Sequence, residues 1–202
     1  MNNWILPETA AEIASQKANR QQNIQKQQTN ELFAKELVPR YVLVDAALWQ
    51  NKMNILNEGK FTYCSLFRGS NEEILQSVAP YLVDMVSADR EIINKVVQEN
   101  PIEYRVMCLH SNLDLDSLRK HLRRFLRMKT ETGMYLYSRF YDPYVANCIF
   151  PNLTQEQLET FFAPLSYLIT EDVRIDERRV FYLSENNELQ IKYETISDVD
   201  NN

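Results

Sequence analysis

The segment from Met134 to Pro143 reads Met-Tyr-Leu-Tyr-Ser-Arg-Phe-Tyr-Asp-Pro, and it dictates a corner in the fold. The two-residue alternation of a strand puts Tyr135, Tyr137, Arg139 and Tyr141 on one face and Met134, Leu136, Ser138 and Phe140 on the other. Asp142 suits the N-cap of a following helix, and Pro143 suits its first turn, where a missing N–H costs nothing. The spacing therefore predicts a strand over Met134–Tyr141 that turns directly into a short helix, stopped near Phe150 by Pro151. The arginine in that corner has two readings. In one it is a structural latch, paired with Asp142 or another acid through charge-assisted bonds; in the other it lies against phenol rings and meets a partner directly.

Upstream of the corner, short β-branched or aromatic runs alternate with helical stretches, which favours an α/β architecture. Strands are predicted over Tyr41–Val44, Thr62–Phe67, Tyr81–Met85 and Tyr104–His110. Helices are predicted over Ala47–Asn57, Glu72–Val78, Arg90–Gln98 and Leu115–Met128. Downstream, Thr154 with Gln157 three residues on makes a capping box for a helix that ends before Pro164. Arg179–Ser184 and Glu188–Tyr193 flank Glu185-Asn186-Asn187, a hairpin turn in which asparagine tolerates positive φ. The expected class is α/β: a mixed sheet with flanking helices, then a small helical unit and a C-terminal β-hairpin.

Four regions follow. Residues 1–38 are a Gln/Asn-rich arm, helical or flexible, whose sparse apolar positions Ile13, Ile24, Leu32, Phe33 and Leu37 need a neighbour to be ordered. Residues 39–142 are the α/β domain. Residues 143–196 are the helical unit with the hairpin, and residues 197–202 are an acidic, disordered tail.

At 202 residues and 45% hydrophobic content the chain can bury a full core. A net charge of −6 argues against a generic nucleic-acid binder, because phosphate binding draws on an excess of Lys and Arg. Three glycines and no glycine-rich phosphate loop weaken nucleotide binding, so no cofactor is expected. Cys64, Cys108 and Cys148 sit in apolar runs and read as buried thiols of a reducing compartment. The first residues carry neither a basic region nor an apolar stretch of membrane length, so a cytoplasmic protein that does not enter the membrane is expected.

On the helix from Leu115, the residues Leu115, Leu118, Leu122, Phe125 and Leu126 make one apolar stripe, and Lys120, Arg123, Arg124 and Arg127 face away from it. That cationic face is a solvated surface or a docking surface for an acidic segment of a partner; one stripe without a wider basic field gives little nucleic-acid affinity. His121, at the edge of the stripe, reads as a packed, hydrogen-bonded ring. Cys108 and His110 share a strand face, yet the chain offers no Cys-x-x-Cys and no His-x-x-x-His for a metal. Ser111 or Cys108 with His110 or His121 is the alternative, hydrolase reading, and it lacks a third orienting group and an oxyanion turn. Eleven tyrosines favour an interaction role, with Tyr135, Tyr137, Tyr141, Tyr144 and Tyr167 as contact candidates.

Several of these pieces recur together. Tyr41-Val42-Leu43-Val44-Asp45-Ala46-Ala47, Leu66-Phe67-Arg68-Gly69-Ser70, Ala79-Pro80-Tyr81-Leu82-Val83, Ser111, His121-Leu122-Arg123, Arg139-Phe140-Tyr141-Asp142-Pro143 and the stretch from Phe150-Pro151 through Leu158 to Phe161-Phe162-Ala163-Pro164-Leu165 resemble, in this order, the domain-of-unknown-function 4123 family. The resemblance spans about Tyr41 to Tyr167. Asp45-Ala46-Ala47 and Ala79-Pro80-Tyr81 depart slightly from the family's turns. The resemblance implies a non-enzymatic, cytoplasmic effector adaptor chaperone of the bacterial type VI secretion system, with a secreted toxin and the VgrG spike protein as partners. It also implies that His121, Arg139, Asp142 and Pro143 are motif positions. On this view the motif-bearing domain serves what such adaptors share, and the part after Pro143 selects the cargo.

Overall fold

The structure, a computed structural model, describes residues 39–49, 54–58, 61–67, 75–86, 106–129, 133–172 and 175–196. The N-terminal arm, the helix expected over Arg90–Gln98, most of the one expected over Glu72–Val78, the end of the Leu66–Ser70 turn and the acidic tail lie outside the described residues.

The strands are β1 (Tyr41–Asp45), β2 (Thr62–Ser65), β3 (Pro80–Asp84), β4 (Val106–Ser111), β5 (Arg127–Lys129), β6 (Tyr135–Tyr137), β7 (Leu165–Asp172), β8 (Glu177–Leu183) and β9 (Leu189–Thr195). The α-helices are α1 (Ala46–Trp49), α2 (Asn54–Glu58), α3 (Leu115–Arg123), α4 (Pro143–Ile149) and α5 (Gln155–Phe162). Seven strands form one sheet in the order β2-β3-β1-β4-β7-β8-β9, and β5 pairs with β6 in a separate hairpin. The α/β class with flanking helices and a C-terminal hairpin is the one the chain adopts. Where a mixed sheet was expected, every pairing is antiparallel.

All five residues of β1 are buried, because helices cover both faces of the sheet centre. On one face Leu43, Leu82, Met107 and Leu109 pack against Leu118 and Leu122 of α3 and against Phe140, Phe150, Phe161 and Phe162. On the other, Val42, Val44, Val83 and Val106 pack with Trp49, Leu56 and Phe61. Phe161 has four phenylalanine rings around it, at centroid distances of 4.8 Å to Phe125, 4.9 Å to Phe150, 5.3 Å to Phe162 and 5.4 Å to Phe140. Such tilted and edge-on pairs add to plain area burial. These rings are part of the core packing on that face.

Three stretches depart most from the sequence reading. The helix expected over Leu115–Met128 ends at Arg123, continues as a 3-10 turn over Arg124–Leu126, and gives way to β5, so Arg127 and Met128 are strand residues. The strand expected over Met134–Tyr141 is regular only over Tyr135–Tyr137, after which the chain turns toward Asp142. β7 was not anticipated; it is buried on both faces, so it lacks the alternation that marks a half-exposed strand. The capping box at Thr154 is formed, with the Thr154 N–H donating to Gln157 Oε1 at 2.9 Å and the Gln157 N–H to Thr154 Oγ1 at 3.3 Å. The β8–β9 turn holds Asn187 at φ +63°, as its side chain permits.

Candidate functional site

The corner after β6 is built around one guanidinium. Arg139 Nη2 donates to Asp45 Oδ2 at 2.7 Å and lies 3.4 Å from Asp142 Oδ2. Both carboxylates already cap a helix start. Asp45 Oδ1 accepts from the Ala47 N–H at 3.0 Å, and Asp142 Oδ1 accepts from the Tyr144 N–H at 3.0 Å, with Pro143 in the first turn of α4. Asp45 and Asp142 are buried, whereas the Arg139 side chain is 44% exposed. Burial opposes the charge on Arg139, but the bond to Asp45 and the field of both carboxylates outweigh it and raise its pKa. The latch reading of Arg139 therefore describes the observed geometry, and the acid it reaches first is Asp45, at the end of β1. Arg139 also lies 6.0 Å from the ring centre of Tyr141.

The tyrosines separate into two groups. Tyr135 and Tyr137 are 67% and 49% exposed, next to Met134 at 62%. Tyr141 and Tyr167, both named as contact candidates from sequence, are buried and present no outer surface. Tyr141 is turned inward beyond the end of β6, where the strand's alternation no longer applies; its hydroxyl shares a 3.2 Å bond with that of Tyr137. Tyr167 sits on β7 inside the sheet and stacks on His110 at 5.4 Å, and burial pushes its phenol up to about 12. Tyr144 is half-buried and donates to Asp172 Oδ1 at 3.2 Å, fixing α4 to the end of β7.

The cationic face is partly committed. Lys120 pairs with Asp116 at 2.6 Å. Arg124 Nη2 lies 2.7 Å from His121 Nδ1 and its guanidinium 5.6 Å from the Phe125 ring centre. Arg127 lies 6.0 Å from the ring centre of Tyr135, across the small hairpin from it. His121 Nε2 is 2.8 Å from the Phe161 carbonyl oxygen, so the ring ties α3 to the end of α5 as the Nε2-protonated tautomer. Burial, with help from Arg124, lowers the pKa of His121.

Arg119, which sequence reasoning passed over, donates from Nε to the Ser65 carbonyl at 2.7 Å and from Nη2 to the Phe67 carbonyl at 3.3 Å. It holds the end of β2 beneath α3. Its place within an apparently cationic helix concealed it, because nothing in the spacing tells a clamp from a solvated arginine.

Of the residues weighed for hydrolysis, Ser111 and Cys108 lie in the core. Ser111 is fully buried and its Oγ accepts from the Leu113 N–H at 3.2 Å, as part of the turn into α3. Burial pushes the Cys108 thiol up to about 12, far from the thiolate a nucleophile needs. The three cysteines are thiols, but only Cys108 is buried: Cys64 is half-buried and Cys148, on the outer side of α4, is exposed. Among the described residues no group of His, Cys, Asp and Glu is placed to hold a metal ion. Among the same residues no helix is long and apolar enough to cross a membrane.

Residues 40–160, more than half of the chain, match the family described as domain of unknown function DUF4123. The chain belongs to that family. No curated protein and no solved structure matches it.

Proposed function

We propose that this protein is a non-enzymatic adaptor chaperone of the bacterial type VI secretion system, which holds one secreted effector toxin in the cytoplasm and promotes its loading onto the VgrG spike. Family membership over residues 40–160 carries the reading. The disposition of the motif residues supports it. Asp45, His121, Arg139 and Asp142 are used up in joining elements to one another, which is how a binding scaffold spends such residues, while Met134, Tyr135 and Tyr137 remain on the surface. Exposed large apolar side chains clustered on a short hairpin are what a protein partner covers. The region after Pro143 is assigned the choice of cargo.

The test is recovery of the tagged full-length protein from its native bacterium, with bound proteins identified by mass spectrometry. Wild type is compared with Tyr135→Ala/Tyr137→Ala after circular dichroism has verified the fold. Recovery of a VgrG protein and one toxin, reduced severalfold in the folded variant, is the expected result. Recovery of neither by an abundant, folded bait overturns the adaptor reading.

A further inference from the structure

Behind the β5–β6 hairpin lies a cleft of about 450 Å³, closed on its far side by α4, α5 and the turn between them. Its floor is aromatic, with Phe125, Phe140, Phe150 and Phe161 among the lining residues. That volume falls within the range of pockets that take up ligand groups. Arg127 belongs to the rim on the hairpin side, and Arg124 stands over the ring of Phe125, one of the floor residues. Both arginines are exposed. Arg124 contacts His121 and the Phe125 ring, and Arg127 the Tyr135 ring, so among the described residues neither charge is paired with a carboxylate. The one carboxylate among the lining residues is Glu156, on the opposite rim, in α5.

We propose that this cleft takes an apolar side chain from a segment of a protein partner whose flank is acidic, with the acidic flank lying over Arg124 and Arg127 and away from Glu156. Charge complementarity selects that occupant. A net-acidic protein with two unmatched guanidinium groups beside an apolar slot repels other acidic surfaces in general and attracts a carboxylate at this place. The aromatic floor supplies the buried anchor contact, and the arginines, Arg127 at the rim and Arg124 over the Phe125 ring, supply orientation and a salt-dependent rate of encounter. A neutral segment gains the anchor alone, and a basic one meets the two guanidinium groups unfavourably. The inference rests on the adaptor reading only in requiring a protein partner.

The experiment is selection of random twelve-residue peptides displayed on phage against the immobilised full-length protein, followed by fluorescence anisotropy on the winning peptides. Selected peptides are expected to share one large apolar residue with Asp or Glu on one side. Thr160→Trp, at an exposed position lining the cleft, fills the slot without replacing a core side chain and is expected to abolish their binding. Arg124→Glu/Arg127→Glu is expected to weaken it about tenfold or more and to remove most of its salt dependence. Glu156→Lys is expected to tighten it. No enrichment, a basic or uncharged consensus, or binding that survives Thr160→Trp each overturns the proposal. Failure here leaves recovery of toxin and spike intact, whereas failure to recover them leaves the peptide selection intact, so the two readings fall separately.

Discussion

Arg139 places one positive charge against two buried negative ones, and removing it takes from Asp45 and Asp142 the guanidinium that they share. A buried charge stranded in this way costs several kcal/mol when fully enclosed. Here the guanidinium is partly exposed and both carboxylates keep a backbone N–H, so Arg139→Ala is expected to lower stability by about 2 kcal/mol. Urea unfolding measures this, and adding Asp45→Asn to the variant is expected to restore part of the loss; a variant as stable as wild type would remove the latch from the account. Half of this arrangement was legible in the sequence. Asp142 lies three residues from Arg139 and the proline marks the helix start, so local spacing finds them. Asp45 lies 94 residues away in sequence and is brought in only by the packing of the corner after β6 against the main sheet. Arg119 was missed for the same reason, since its partners are backbone carbonyls with no signature in residue type.

His121 couples two elements rather than two residues. Its ring joins α3 to the carbonyl end of α5 and is packed 5.2 Å from the Phe125 ring. Because its folded pKa lies below the ordinary 6.5, the unfolded chain binds a proton more readily than the folded one. The stability it contributes is whole above pH 6.5 and is lost as pH falls through the lowered folded value. Thermal melts between about pH 7 and pH 5 are expected to show the midpoint falling, and His121→Gln is expected to flatten that fall. An unchanged slope in the variant would assign the acid sensitivity elsewhere. Elements with local punctuation were readable: the capping box fixed the start of α5, and Asn187 the turn between β8 and β9. β5 was read as the end of a helix because Phe125, Leu126 and Arg127 continue the helical spacing; only its pairing with β6 makes it a strand. β7 shows the opposite problem. Tyr167-Leu168-Ile169-Thr170 is rich in strand formers, but a strand covered on both sides shows no periodicity. Composition was the one available signal.

At the scale of the molecule, the matched family region and the folded sheet do not end at the same place. The family match stops at residue 160, while β7, β8 and β9 supply three of the seven strands and β7 pairs with β4 over Met107–Ser111. The helices α4 and α5 also lean on this part: Thr170 Oγ1 donates to Asn147 Oδ1 at 2.7 Å, and Phe181 packs in the same cluster as Phe150 and Phe161. A fragment of residues 40–160 is therefore expected to be insoluble or unfolded by circular dichroism and proton NMR, with the full chain folded under the same conditions. A well-dispersed spectrum from the fragment would show that the sheet is complete at β4. The order of synthesis gives the same topology a meaning in time. β1 to β4 leave the ribosome before β7, and the outer edge of β4, an apolar strand with unpaired amides, waits for β7 before it is covered. The nascent protein thus carries its own sticky edge until β7 has been made, and whatever binds the finished surface meets it only after β7 to β9 have closed the sheet.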